Sequence, residues 1–144
     1  MSVYTLNGGC HCGNIQIEVK LTRAPISYNP RGCDCDFCRK HGASYVSDAQ
    51  GSMRMQVQDP LQLNKYHQGS GIADCIICRN CGVLVGIVHQ SNGRLYGAIN
   101  SKIIDGSPPF GEEVPVSPKT LPDAEKIKRW KDIWFANVGI DLIN

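Results

Sequence analysis

Eight cysteines in 144 residues constrain this chain more than any other feature, because they fall in three tight groups. The groups are Cys10 and Cys12; Cys33, Cys35 and Cys38; and Cys75, Cys78 and Cys81. Cysteines one or two residues apart are poor partners for one another in a strain-free disulfide. Tight turns instead aim neighbouring thiolates at one point, the arrangement of a shared metal. Thiolate sets of this kind predict zinc, with iron or a redox role as the alternatives. An even cysteine count also suits a disulfide framework in a secreted protein. The start Met1-Ser2-Val3-Tyr4-Thr5, however, lacks the basic and apolar stretches of a secretory signal.

The length predicts one domain, spanning 1–144. Hydrophobic residues make up 42% and charged ones 19%, enough apolar material for a packed core. No apolar run approaches the roughly 18 residues needed to span a membrane. The formal net charge of +2 comes without a basic block, so nothing electrostatic argues for nucleic acid. Zinc on seven of the thiolates would bring the chain still nearer neutrality. The expectation is a soluble, cytoplasmic protein.

Strand signals fill a core of about 3–106. Ile15-Gln16-Ile17-Glu18-Val19-Lys20-Leu21 alternates apolar and polar residues, as a half-buried strand does. Met53 to Val57 repeats the pattern, and so does Leu61-Gln62-Leu63. Val83 to His89 and Arg94 to Asn100 flank Asn92-Gly93, a strong hairpin signal. Short strands without intervening helices predict antiparallel sheets. Residues 107–118 hold four of the eight prolines, so 107–119 reads as an ordered loop. An amphipathic helix is predicted over about 121–138, capped by Thr120 and Asp123, with Ile127, Trp130, Trp134 and Val138 on one face and Gly139 as its stop. Packing on the sheet is the expected role of both tryptophans.

Gly9-Cys10-His11-Cys12-Gly13 and Cys78-Arg79-Asn80-Cys81-Gly82 are two knuckles, each with a glycine after the last thiolate to relieve crowding and free N–H groups for sulfur. Together Cys10, Cys12, Cys78 and Cys81 complete a tetrahedral site with no open position, which makes it structural. Cys33-Asp34-Cys35-Asp36-Phe37-Cys38 packs three cysteines into six residues, followed by Arg39, Lys40 and His41. Three thiolates plus a vacancy is the arrangement of a catalytic zinc. A second structural site completed by a distant ligand is the alternative.

The order Gly-Cys-His-Cys-Gly-Asn-Ile, then Cys-x-Cys-x-x-Cys-Arg-Lys-x-x-Gly, then Cys-x-x-Cys-Gly resembles the glutathione-dependent formaldehyde-activating enzyme family, which includes a centromere-protein V branch. The likeness runs from about Gly8 to Ala98, and Leu63-x-x-Tyr66 is similar to the family too. The resemblance implies a mainly β fold, a β-tent of antiparallel sheets stapled by zinc. It implies two zinc ions per chain, one structural on Cys10, Cys12, Cys78 and Cys81, and one catalytic on Cys33, Cys35 and Cys38. It also implies carbon–sulfur lyase chemistry, the reversible condensation of formaldehyde with glutathione to S-hydroxymethylglutathione. A small thiol and a small aldehyde are therefore the expected partners. Carboxylates of such a thiol would want cationic forks, for which Arg39, Lys40 and Lys65 are candidates.

Cys75 has no place in the pattern. It is either a buried apolar cysteine, a fourth ligand for the second site, or the nucleophile of a methionine sulfoxide reductase-like enzyme. A non-enzymatic zinc-stabilised protein-binding module is the other reading. His11 is expected to point away from the metal, and His41 to be either an acid/base group or a solvated turn residue. Tyr66, His67 and His89 read as packing or surface residues. Asp34 and Asp36 read as turn formers or partners of groups around the ligands.

Overall fold

The computed structural model describes residues 3–67 and 71–143. Its strands in chain order are β1 (Tyr4–Gly9), β2 (Ile15–Leu21), β3 (Arg31–Cys33), β4 (Tyr45–Val46), β5 (Ser52–Val57), β6 (Leu63–Tyr66), β7 (Asp74–Cys78), β8 (Leu84–Ser91), β9 (Arg94–Asn100), β10 (Val114–Val116) and β11 (Val138–Leu142). Two α-helices, α1 (Asp36–His41) and α2 (Asp123–Ile133), accompany them. One sheet has the order β1-β2-β5-β11 and the other β10-β3-β4-β9-β8-β7-β6. The fold is mainly β, with two sheets and few helices.

Alternation decides which side of each strand is dry. In β2 every second residue, from Ile15 to Leu21, is buried. Ile15, Ile17 and Val19 pair with Val57, Met55 and Met53 of β5, so both strands present their apolar side to the same core. Ile76, Val85, Val88 and Ile99 of the larger sheet close that core from the other side. The next residues along, Cys75, Leu84 and Ala98, point to the opposite face, where they pack with Trp130 and Trp134. The larger sheet thus has two dry faces, one against the smaller sheet and one under α2. Asn92 and Gly93 link β8 to β9 with φ of 53° and 77°, the left-handed pair of a type I′ turn.

Four expectations change. The sheets are not wholly antiparallel: β10 runs parallel to β3, and β11 parallel to β5. Leu61 does not continue an alternating strand; Pro60–Gln62 forms a 3-10 turn that leaves Leu61 79% exposed, and the strand begins at Leu63. The C-terminal helix stops at Ile133, well short of 138. Phe135 is the reason. Its backbone exchanges hydrogen bonds with Gly97, and its side chain is fully buried in the inter-sheet core. That anchor turns the chain so that Val138 and Gly139 enter β11 instead of prolonging the helix. The helix start differs as well: Pro122 is the N-cap, and the Thr120 hydroxyl donates to the Ser117 carbonyl. Both tryptophans do pack on the sheet, stacked with centroids 4.5 Å apart.

Because Phe135 fixes the end of α2 and the start of β11 together, Phe135→Ala is expected to cost about 3–5 kcal/mol in chemical denaturation. A loss under about 1 kcal/mol would show that the tail is docked by other contacts.

Candidate functional site

The turn from β1 into β2 carries Cys10 and Cys12, while β7 ends at Cys78 and the following turn carries Cys81. The four sulfurs lie within 4.8 Å of one another. Cys10 and Cys12 Sγ are 3.7 Å apart, and Cys12 and Cys78 Sγ are 3.6 Å apart. Those spacings far exceed a disulfide bond of about 2.05 Å. They match the edge of roughly 3.8 Å of a thiolate tetrahedron around zinc, with bonds of about 2.3 Å. Backbone N–H groups of Ile15 and Cys81 donate to the sulfurs of Cys10 and Cys78 at 3.2 and 3.5 Å. Gly13 and Gly82 have φ of +85° and +81°, and a Cβ at either would meet nothing within 4 Å. Their role is therefore left-handed backbone, not relief of crowding. The Asn80 side chain beside Cys12 lowers that thiol to about 6, while burial pushes Cys78 up to about 12. Spacing alone gave no reason to single out Asn80.

The second group is built by a strand end and a helix start. Cys33 closes β3, Cys35 is the N-cap of α1, and Cys38 lies inside the helix. The Cys35 sulfur accepts the Cys38 N–H at 3.4 Å, and Gly42 ends the helix with φ of +63°. All three sulfurs lie within 4.8 Å of one another. The Cys38 thiol hydrogen bond lowers Cys33 to about 6, whereas Cys38, as donor to Cys33 and as a buried group, is pushed far up. Three soft donors that already share one proton-poor position suit a divalent, thiophilic ion. Tyr45 Oη sits 3.2 Å from Cys38 Sγ. Burial, then the nearby Cys38 charge, keeps that phenol protonated. It can therefore donate to a Cys38 thiolate.

Cys75 and Cys78 are three positions apart on one strand, so the two side chains face opposite sides. Cys78 joins the inter-sheet core and Cys75 the outer cluster. Cys75 is 1% exposed and lies outside the three-sulfur set. Burial, reinforced by the charges of Cys35 and Asp74, pushes its thiol up to about 12. A thiol held neutral in this way is a poor nucleophile.

A partly enclosed cavity of about 150 Å3 opens over the three-cysteine group. Ile72, Ala73 and Ile87 line it from the sheet side, and Trp130, Ile133 and Trp134 from the helix side. Its cations are Arg31, Lys119, Lys126 and Arg129. Burial, then repulsion from Arg129, lowers Arg31 to about 10, so it stays charged at neutral pH. Arg31 also donates to the Ser47 hydroxyl at 2.6 Å. Lys119 lies 3.9 Å from Asp34, which in turn accepts from Ser117.

Arg39, Lys40 and Lys65 are exposed and lie outside this cavity, and Arg39 pairs with Asp36 at 3.0 Å. His11 is exposed and belongs to neither sulfur set. His41 is also exposed, its ring against Phe37, which stacks on the exposed Tyr66. His67 pairs with Asp74, and the buried His89 bonds the Ile72 carbonyl and packs on Trp130. Sequence reasoning missed Tyr45, Arg31 and Arg129, which reach the site from separate segments and carry no common motif.

No helix among the described residues is long and apolar enough to cross a membrane. No curated protein matches the chain. A crystal structure of a Rhodobacter sphaeroides protein is similar, with 32% identity and a TM-score of 0.59 over 76% of this chain and 99% of that one. The model of the glutathione-dependent formaldehyde-activating enzyme family matches residues 5–119, a span that contains all eight cysteines. The chain therefore belongs to the glutathione-dependent formaldehyde-activating enzyme family.

Proposed function

We propose that this protein is a zinc-dependent carbon–sulfur lyase-like enzyme, which reversibly joins a small thiol to a small aldehyde at the Cys33-Cys35-Cys38 group. The observation that carries the reading is the position of those three sulfurs at the wall of a cavity, inside the family match. Cys10, Cys12, Cys78 and Cys81 are proposed to hold a second, structural zinc. The whole chain is read as one unit over 1–144, because α2 walls the cavity and β11 completes a sheet.

A zinc ion on three thiolates supplies either a stabilised substrate thiolate near neutral pH or polarisation of an aldehyde oxygen. The chain's own groups do the rest. Tyr45 donates to Cys38 and so moderates the electron density on that sulfur. The apolar walls leave few groups to hold water that would compete as nucleophile. In the reaction the thiol adds across the carbonyl: one sulfur–carbon bond forms, the carbonyl π bond opens, and the proton leaves sulfur for oxygen. No oxidant or reductant is required. The reverse step releases both partners.

Exchange NMR with carbon-13 formaldehyde and a panel of thiols that includes glutathione tests the proposal. The zinc-loaded protein is expected to accelerate formation and breakdown of at least one S-hydroxymethyl adduct over the spontaneous rate, and Cys35→Ser to remove the acceleration. Rates equal to the protein-free mixture for every thiol would leave a purely structural role for both metals.

A further inference from the structure

We propose that the cavity selects a small amphipathic carboxylate, its apolar skeleton seated on Trp130, Ile133 and Trp134 and its carboxylate held by Arg31 and Arg129. The identity of the bound species as a reactant rests on the function proposed above; its binding does not.

Charge is the first argument. Asp34 is set against Lys119 at 3.9 Å. A divalent ion on three thiolates leaves one net negative charge, against the three positive charges of Arg31, Lys126 and Arg129. Positive charge is therefore in excess, and among the described residues neither Lys126 nor Arg129 has an ion pair or a side-chain hydrogen bond. Two guanidinium groups that repel each other at one cavity are the arrangement an anion relieves, and a carboxylate accepts from such forks bidentately.

The walls supply the second argument. Most of the lining is aliphatic or aromatic, and among the described residues no Asp or Glu lines the cavity. An ammonium group would face Arg31, Lys119, Lys126 and Arg129 there, with no carboxylate in the lining to pair with it. The peptide groups of a long polar ligand would lie against carbon and lose hydrogen bonds to water. A ligand of glutathione type, with its amino group and two amides, fits this chemistry poorly. A single carboxylate on a hydrocarbon body fits it well. Of the selecting residues, Arg129, Trp130, Ile133 and Trp134 lie beyond residue 119, where the family match ends, and Arg31 lies within it. The tail thus supplies the apolar seat and one of the two guanidinium groups.

Trp130 and Trp134 are the chain's two tryptophans, so their fluorescence reports on the cavity directly. The zinc-loaded protein would be titrated with 3-phenylpropionate, with its uncharged counterpart 3-phenylpropanol, with phenylalanine, which adds an ammonium group to the same skeleton, and with glutathione. Saturable binding of 3-phenylpropionate is expected, with the other three weaker by roughly tenfold or more. Arg129→Gln, on the surface of α2 and with helix propensity kept, should weaken 3-phenylpropionate about tenfold without a change in circular dichroism. Lys40→Gln, outside the cavity, should leave it unchanged. Equal binding of acid and alcohol, tighter binding of glutathione, or an unaffected Arg129→Gln variant would overturn the inference. Loss of this selectivity while thiol–aldehyde exchange persists would sink the inference alone. Selective binding without any exchange activity would instead sink the proposed reaction.

Discussion

Cys81→Ser protein is expected to be insoluble, or to retain one zinc and lose more than about 4 kcal/mol of stability, a large part of what a domain this size possesses. The reason is where the four sulfurs sit. Cys10 and Cys12 follow β1 in the four-stranded sheet; Cys78 and Cys81 flank the turn after β7 in the seven-stranded one. A metal at this point links the two sheets across 66 residues of chain, from Cys12 to Cys78. Cys10 and Cys78 are buried at 7% and 0% exposure, so without a metal two of the three remaining ligands would be thiols pressed into the inter-sheet core. Serine at 81 offers a hard oxygen in place of a soft sulfur and weakens the site further. Calorimetry and metal analysis of the purified variant check this. A soluble Cys81→Ser protein with unchanged Tm and two bound zincs would falsify the assignment of this group as a structural centre.

Both sulfur groups were legible in the sequence because each is made of near neighbours at fixed spacing, and only the pairing of Cys10 and Cys12 with Cys78 and Cys81 spans a long distance. β2, β5 and the β8–β9 hairpin were legible for a related reason. Their alternation and their turn residues are local signals, and the register of Ile17 against Met55 only confirms what each strand states alone. The tail was harder. Residues 127–138 do carry a helical period, but the competing burial of Phe135 and the pairing of β11 with β5 are tertiary effects, invisible in a window of that length. The same holds for β10, three residues that include Pro115 and become a strand only beside β3. The cavity illustrates the limit most clearly. Arg31 and Arg129 are 98 positions apart, and nothing in either neighbourhood announces that they meet.

Cys35→Ser should do the opposite of Cys81→Ser: lower the zinc content from two ions to one, reduce activity at least about a hundredfold, and leave Tm within a few degrees. Cys33, Cys35 and Cys38 span one strand end and one short helix, so their metal links little of the chain. Serine is moreover a favoured N-cap, and its oxygen can accept the Cys38 N–H that the Cys35 sulfur accepts now. The start of α1 is therefore preserved while a soft ligand is lost. The same variant bears on Cys75. Had that residue been a fourth ligand, three sulfurs would remain to retain the ion after the substitution, and the site would have no opening for a substrate. Cys75 lines the same cavity, on the sheet face shared with Leu84 and Ala98, but lies outside the three-sulfur set. X-ray absorption on the zinc-loaded protein and on Cys75→Ser reads the difference. An open second site averages with the four-sulfur site to fewer than four sulfurs per zinc, and Cys75→Ser leaves that average unchanged. Four sulfurs at both sites, falling on Cys75→Ser, would make the second centre closed and the proposed chemistry untenable there.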